Sequence, residues 1–310
     1  MIMNKNHVVI GDLIFDKFIY GNANRISAEA PTLVLDVDRE IHMIGGAYNV
    51  AAHIASLEHG CSFLSTSGED FNNVMQVFND SFREDVKGNI YMEPNRLTSV
   101  KTRLISEYKN AHLLRYDVET IKDILPETVD SIMSHLQSMD TIEDILLIDY
   151  KKGVICKELA TRIIAFANNK GIPVYVDTKK DDLQIFAGCK VIKPNKYEFE
   201  KIRLRYAPDS NMKDACKIIC DTLNIHQIVI TAGSEGIYAY DNDNGLIHSE
   251  AQIVEVKELS GAGDSVLAVL SYCFSEGYSF ADSINYANKL AAKFVSSGIQ
   301  YRARKEDLFN

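Results

Sequence analysis

The stretch DILLIDYKKGVICKELATRIIAFANNKGIPVYVDT, Asp144 to Thr178, decides how the chain folds. It opens on an apolar run of strand length, DILLIDY, continues through the amphipathic helical stretch CKELATRIIAFANNKG and closes on a second apolar run, IPVYVDT. A helix of that length between two strands carries the second back beside the first in the same direction, which favours a parallel sheet covered on both faces. The same alternation extends both ways. HVVIGDLIF reads as a buried first strand, and GAYNVAAHIASLEHG as a helix with Val50, Ile54 and Leu57 on one stripe and Gly60 as its stop. CSFLST is the next strand. Beyond the central unit come CKVIKPN, a helix from about Met212 to Leu223, the strand HQIVITA, and the hairpin-like GIYAYDNDNGLIHSEA. Two long helices, from Gly263 and from Phe280, follow.

Two regions break the rhythm. Residues 16–43 and 88–118 alternate apolar and polar side chains with no helix between, as in VLDVDREIHM and TSVKTRLISEY. They read as antiparallel strands of a small sheet that shields one end of the main one. The expected architecture is α/β: one domain over residues 1–310, a doubly wound, mostly parallel sheet flanked by helices, and a small β-sheet lid.

The bulk numbers exclude several function classes. With 46% apolar and 25% charged residues in 310, the profile is that of a globular protein with a large core. No apolar run approaches the ~20 residues of a membrane helix. The start, MIMNKNHVVIGDLIF, lacks the basic stretch and long apolar core of a secretion signal. A net charge of −10 argues against general attraction to nucleic acid or anionic lipid. A phosphorylated small molecule still suits such a chain if a few cations gather in one pocket. The cysteines at 61, 156, 189, 216, 220 and 273 form no Cys-x-x-Cys pair, so a zinc site is not expected. Core thiols in a reducing compartment, the cytoplasm, are the expectation.

Five constellations could carry chemistry. In LSGAGDSVLAVL, Gly261, Ala262 and Gly263 open a helix whose unpaired N–H groups and positive dipole end suit a phosphate, with Asp264 in reach of an attacking hydroxyl as proton acceptor. The competing reading is a capped helix with an acidic first turn. In MIGGAYNVAAHIASL, Gly45 and Gly46 open another helix, and Asn49 could read sugar hydroxyls; a plain loop and cap would look the same. GDLIFD places Asp12 and Asp16 at the end of the first strand, where open α/β sheets bind ligands, although loop carboxylates also sit there. In VIKPNKYEFE, Asn195 and Glu198 could order Mg²⁺-bound water beside nucleotide phosphates or form a capping box. VITAGSEGI sets Thr231 at a strand end, with Gly233 and Gly236 turning under a nucleotide.

Together and in this order, these stretches resemble the ribokinase-like carbohydrate kinases, the PfkB family, over about residues 7–300. IGGAYNVAAHIASL looks like that family's first signature and LSGAGDSVLAVL like its second. Within the family, GDLIFDKFIYGNANRISAEAPTLVLDV, IDYKKG, TSVKTRLIS and LLRYD are most similar to kinases that phosphorylate D-glycero-β-D-manno-heptose 7-phosphate at its anomeric oxygen. The resemblance implies Asp264 as catalytic base, with Gly261, Ala262 and Gly263 as anion hole. Asp12, Asp16, Gly45, Gly46 and Asn49 would hold the sugar. Asn195 and Glu198 would meet Mg²⁺ through water, and Lys193, Thr231, Gly233, Gly236 and Asn288 would line the ATP site. For the substrate's remote phosphate, Lys101 and Arg103 fall on one strand face, with Arg115 or Lys152 completing a cationic pocket; a solvated charged strand is the alternative. That kinase is often fused to a nucleotidyltransferase, which is not expected in a chain ending at 310.

Three departures stand out. Glu258-Leu259-Ser260 replaces the usual Asp-Thr-Thr or Asp-Val-Thr, leaving a monovalent cation open. Tyr48 replaces a small residue and is expected to crowd the sugar pocket, and SSGIQYRARKEDLFN lacks the usual small-residue pattern near the nucleotide. Another sugar, a sugar acid or a nucleoside is the alternative acceptor, and a silent sugar-binding relative the alternative class. Nicotinamide chemistry is not expected, since no Gly-x-Gly-x-x-Gly follows the first strand. Partners are small molecules, with a homodimer through the lid strands as a further expectation.

Overall fold

The computed structural model describes residues 5–78, 82–108, 111–257, 261–298 and 301–309. Among these, two sheets form. The larger has nine strands in the order β13-β12-β11-β10-β9-β8-β1-β4-β5. At its centre β1 (Asn6–Gly11) pairs in parallel with β4 (Gly60–Ser67) and β8 (Asp144–Asp149). From β8 the parallel order runs outward through β9 (Val174–Thr178), β10 (Val191–Ile192) and β11 (Gln227–Thr231). The hairpin β12 (Ile237–Asp241) and β13 (Gly245–Ser249) closes that edge antiparallel, and β5 (Val86–Met92) closes the other in parallel.

Strands buried on both faces need apolar side chains at every position. β1 and β8 meet this, with Val8, Val9, Ile10 and Ile145 to Ile148 all inaccessible. One face packs Ile10, Leu147 and Val176 against α3 (Pro126–Ser138), α4 (Lys157–Lys170), α5 (Lys196–Tyr206) and α6 (Met212–Leu223). The other packs Val9, Leu146 and Ile148 against α1 (Ala47–Ser56), α7 (Ala262–Ser275) and α8 (Phe280–Ser297). The chain leaves β1 toward β4 on one side and returns through β8 on the other. The carboxyl ends of β1 and β8 therefore flank the point where strand order reverses, the usual ligand crevice of such sheets.

The second sheet is β3-β2-β6-β7, made of β2 (Leu13–Ile26), β3 (Leu33–Gly46), β6 (Ser99–Ser106) and β7 (Ala111–Val118). Three expectations change here. HVVIGDLIF is not one strand: after Gly11 the chain crosses at Asp12 from the main sheet to the small one. The small sheet is not wholly antiparallel either, since β2 and β6 run parallel. Residues 88–92 belong to β5, on the edge of the main sheet, where the strand pairs in parallel with β4 and with no strand of the lid.

Candidate active site

A cleft of about 960 Å³ opens where the small sheet faces the start of α7. Glycine builds that start. Gly261 has φ 96°, and a Cβ on it would lie 2.9 Å from Asn49 Nδ2 and 3.0 Å from the Phe294 ring. No side chain among the described residues caps the helix, and Gly261, Ala262 and Gly263 at its uncapped start line the cleft. Asp264, 5% exposed, accepts from Asn49 Nδ2 through Oδ2 at 2.8 Å and from the Tyr150 hydroxyl through Oδ1 at 2.8 Å. Burial pushes its carboxyl above the ordinary carboxylate value; the Asn49 and Tyr150 bonds work against this. A carboxyl raised this way takes up a proton nearer neutral pH than an exposed aspartate does.

The opposite wall comes from the small sheet. Asp16, Gly45, Gly46, Lys101, Arg103 and Arg115 all line the cleft. Gly45 leaves room for its neighbour, since a Cβ there would sit 2.3 Å from Asp16 Oδ2. Arg103 Nη1 donates to Asp16 Oδ1 at 2.6 Å. Arg103 and Arg115 stand directly opposite on β6 and β7, and Lys101 stands opposite Asp117. Arg115 forms a fork on Asp117, while Lys101 Nζ lies 3.6 Å from the same carboxylate. Three cations thus share two carboxylates. Burial, then Arg115 and Lys152, hold the Lys101 ammonium below its ordinary value, with Asp117 and Glu119 acting against them.

The third side carries Lys193, Asn195, Thr231, Gly233, Gly236 and Asn288, with Ile253, Val254, Val256 and Val295 as apolar cover. Lys193 Nζ sits 3.2 Å from where a Cβ on Gly263 would lie, at the mouth of α7, and pairs with Asp177 Oδ2 at 2.7 Å. The Asn288 amide donates to the carbonyls of Ser249 and Glu250, fixing the exit of β13 rather than offering itself freely.

Several expectations need correction. Asp12 does not reach the cleft. It is 1% exposed and accepts from the backbone N–H groups of Tyr150, Lys152 and Val154 at 2.7, 3.1 and 3.1 Å. Its carboxyl is pushed up to about 6 by burial and by Asp149. Lys152 is also off the cleft, bonded to Glu119 at 2.6 Å. Glu198 forms a reciprocal capping box with Asn195, at 2.8 Å each way, and holds Lys179 at 2.8 Å with its other oxygen; only Asn195 of the two lines the cleft. Tyr48 does not crowd the pocket: it points under α1, packs edge-on against Phe63 and Phe82, and accepts from the Arg83 N–H at 2.6 Å. Glu258-Leu259-Ser260, on which the monovalent cation hinges, lie outside the described residues, as do residues 299 and 300 of the C-terminal stretch.

Sequence reasoning passed over Tyr150, Asp177 and Lys179. All three follow or end β8 and β9 at their carboxyl ends, the position that singled out Asp16. The same rule, applied to every parallel strand, finds them.

The sequence matches the pfkB family carbohydrate kinases over residues 4–301. The bifunctional protein HldE of Geobacter sulfurreducens is 37% identical over 293 residues, 94% of this chain and 59% of that protein. Its namesake from Bradyrhizobium diazoefficiens is 32% identical over 301 residues, 95% of this chain and 60% of the relative. The chain therefore spans about three fifths of the length of these curated relatives. Among solved structures, phosphofructokinase-2 from Escherichia coli in complex with substrates and products superposes with a TM-score of 0.79 at 16% identity, covering 99% of this chain and 97% of that one. Arabidopsis thaliana ribokinase complexed with ribose and ATP gives 0.72 at 16% identity, covering 99% and 98%. At such identities the superpositions speak to the fold.

Proposed function

The chain belongs to the pfkB family of carbohydrate kinases, and from that premise we propose that it transfers the γ-phosphoryl group of ATP to O1 of D-glycero-β-D-manno-heptose 7-phosphate, giving the 1,7-bisphosphate. One observation carries the reading: Asp264 at the open start of α7 faces Lys101, Arg103 and Arg115 across a single cleft. A base needs an acceptor hydroxyl, and a cationic cluster away from that base has work to do only if the acceptor already bears an anion. The motifs of the first quarter, which resemble those of heptose phosphate kinases, select the sugar.

In this reading Asp16 and Asn49 hold the sugar hydroxyls, and the cationic trio holds the remote phosphate. The acceptor hydroxyl attacks in line and its proton passes to Asp264. The first-turn N–H groups of α7 and the Lys193 ammonium face the charge on the transferring group, so positioning and electrostatics supply most of the acceleration. Thr231, Gly233, Gly236 and the apolar cover around Val256 bracket the nucleotide.

The family implies Mg²⁺ with ATP. Among the described residues no cluster of three or more His, Cys, Asp or Glu could hold a metal alone. The residues present fit an ion carried by the phosphates, which such ions commonly are. Asp177, whose Oδ1 accepts no hydrogen bond and lies 3.7 Å from the Lys179 ammonium, would meet it through water together with Asn195. Bound there, it would neutralise charge on the β- and γ-phosphates.

We place residues 1–310 in one kinase domain with the small sheet as its lid, working in the cytoplasm. The exposed apolar side chains Val37, Leu114 and Tyr116 on that sheet support pairing of two copies. The deciding experiment follows ADP release over a panel of phosphorylated and free sugars, sugar acids and nucleosides. Heptose 7-phosphate should give the highest kcat/KM, with free heptose at least about tenfold lower, since a charge-assisted hydrogen bond to phosphate contributes about 1.5–3 kcal/mol. Equal turnover of an unphosphorylated acceptor overturns the assignment.

A further inference from the structure

Asp12 and Tyr150 lie 138 residues apart, yet they meet beside the base. Tyr150 is the first residue after β8 and opens the loop 150–154. That loop turns sharply: Lys151 has φ 60°, and Gly153 has φ 102°, where a Cβ would lie 1.8 Å from the Lys122 carbonyl oxygen. A non-glycine residue keeps such a conformation only where its surroundings over-determine it. Here they do. The alternate N–H groups of Tyr150, Lys152 and Val154 converge on the Asp12 carboxylate, a small nest for an anion. Asp149 takes the Lys151 N–H at 2.8 Å, and Arg96 caps the Lys152 carbonyl at 2.9 Å. The product of all this anchoring is one exposed fact in the cleft: the Tyr150 hydroxyl donates to Asp264 Oδ1 at 2.8 Å.

We propose that Tyr150 is a positioning residue for Asp264, and that Asp12 acts through it by fixing the loop that aims the phenol. The inference rests on the reading of Asp264 as general base. A carboxylate with one oxygen on Asn49 and the other on Tyr150 is held against rotation, so the lone pair left on each oxygen keeps a fixed direction toward an acceptor hydroxyl. The phenol also stabilises the charged form of the base. It keeps its own proton throughout: the acceptor's proton goes to Asp264 alone. The other charged groups that face Asp264 come from separate elements, Asp177 on β9, Lys179 and Lys193 after β9 and β10, and Arg302 near the C-terminus. Asp16 faces the phenol itself. Removing the phenol hydroxyl leaves all of them in place.

The test is the pH dependence of kcat, measured on the full chain with MgATP and the best acceptor from the panel, for Tyr150→Phe, Asp12→Asn, their double variant and Asp264→Asn. Tyr150→Phe should move the acid limb of kcat to higher pH by on the order of one unit, so turnover falls about tenfold below the limb and far less above it. KM for both substrates should stay within about twofold, the signature of an effect on the base alone. Asp12→Asn should displace the limb in the same direction, and the double variant should be no worse than the worse single one, because the two act through one contact. Tyr150→Phe keeps the ring and its packing, so it decides the matter even where Asp12→Asn does not fold. An unmoved limb in Tyr150→Phe, or a loss of turnover uniform across pH, overturns the inference while Asp264→Asn remains inactive. Wild-type turnover in Asp264→Asn overturns the base reading beneath it.

Discussion

The two walls of the cleft hold charge in opposite ways. On the α7 side a single buried carboxylate, Asp264, is held by two neutral donors, Asn49 and Tyr150. On the small-sheet side, Lys101, Arg103 and Arg115 crowd together on neighbouring strands with too few carboxylates between them. Neutral donors fix the geometry of one atom without cancelling its charge. A surplus of partly exposed cations fixes nothing tightly but creates a field that an anion can enter and leave. The first wall is therefore suited to chemistry and the second to recognition, and substitutions should separate along that line.

The largest effect belongs to the first wall. Asp264→Asn keeps the size of the side chain but removes the proposed proton acceptor, so kcat should fall by about 10²–10⁴-fold with ATP binding retained. Equilibrium binding of nucleotide beside single-turnover kinetics would show this split. A parallel loss of binding would mean that the wall holds ligands rather than performing chemistry.

On the second wall, Lys101→Met keeps the aliphatic stem and removes the charge. KM for the sugar phosphate should rise about tenfold or more, given about 1.5–3 kcal/mol for a hydrogen bond to a charged group, while KM for ATP and kcat hold. A change in kcat alone would erase the proposed division between the walls. A smaller effect is expected at the start of α7, on the first wall. Gly261→Ala forces a side chain into the left-handed region, at a cost of about 1–2 kcal/mol, and presses on Asn49 and Phe294. Thermal melting should drop by a few degrees, and kcat should fall through the disturbed Asn49–Asp264 contact.

How far each wall was legible in the sequence follows from the range of its contacts. The start of α7 and the strand carrying Lys101 and Arg103 are local patterns: glycines before an apolar helix, and alternation in TSVKTRLIS. Asp16 could be placed in the cleft, but not for the reason the strand-end rule gave: it lies within β2 of the small sheet, opposite Lys101. Asp12 could not, because what separates it from Asp16 is a trio of backbone N–H groups some 140 residues away. Tyr150 follows β8 directly and was in reach of the same rule; what no local pattern shows is its hydroxyl partner, 114 residues further on. Tyr48 was misjudged because a side chain beside a glycine motif can face either side of its helix, and here Phe63 and Phe82 draw it into the core. The strand β5 resembled a lid strand because nothing local in its sequence says which sheet it pairs with, and its partner is β4 of the main sheet.

The finest test of the two-wall division is that the walls should titrate from opposite ends of the pH range. Burial raises the Asp264 carboxyl above its ordinary value of 3.8. The base is therefore protonated, and kcat declines, at a higher pH than an exposed aspartate would allow. Burial together with Arg115 and Lys152 lowers the Lys101 ammonium below its ordinary 10.5. It therefore loses its charge earlier as pH climbs, and KM for the sugar phosphate should begin to rise on the alkaline side. The acid limb should appear in kcat and the alkaline limb in that KM. Lys101→Arg then discriminates, because a guanidinium stays charged across the whole range. In that variant the alkaline rise in KM should disappear while the acid limb of kcat stays where it was. An alkaline limb that survives the substitution would place the titrating group elsewhere, and the small sheet would no longer be the wall that reads the phosphate.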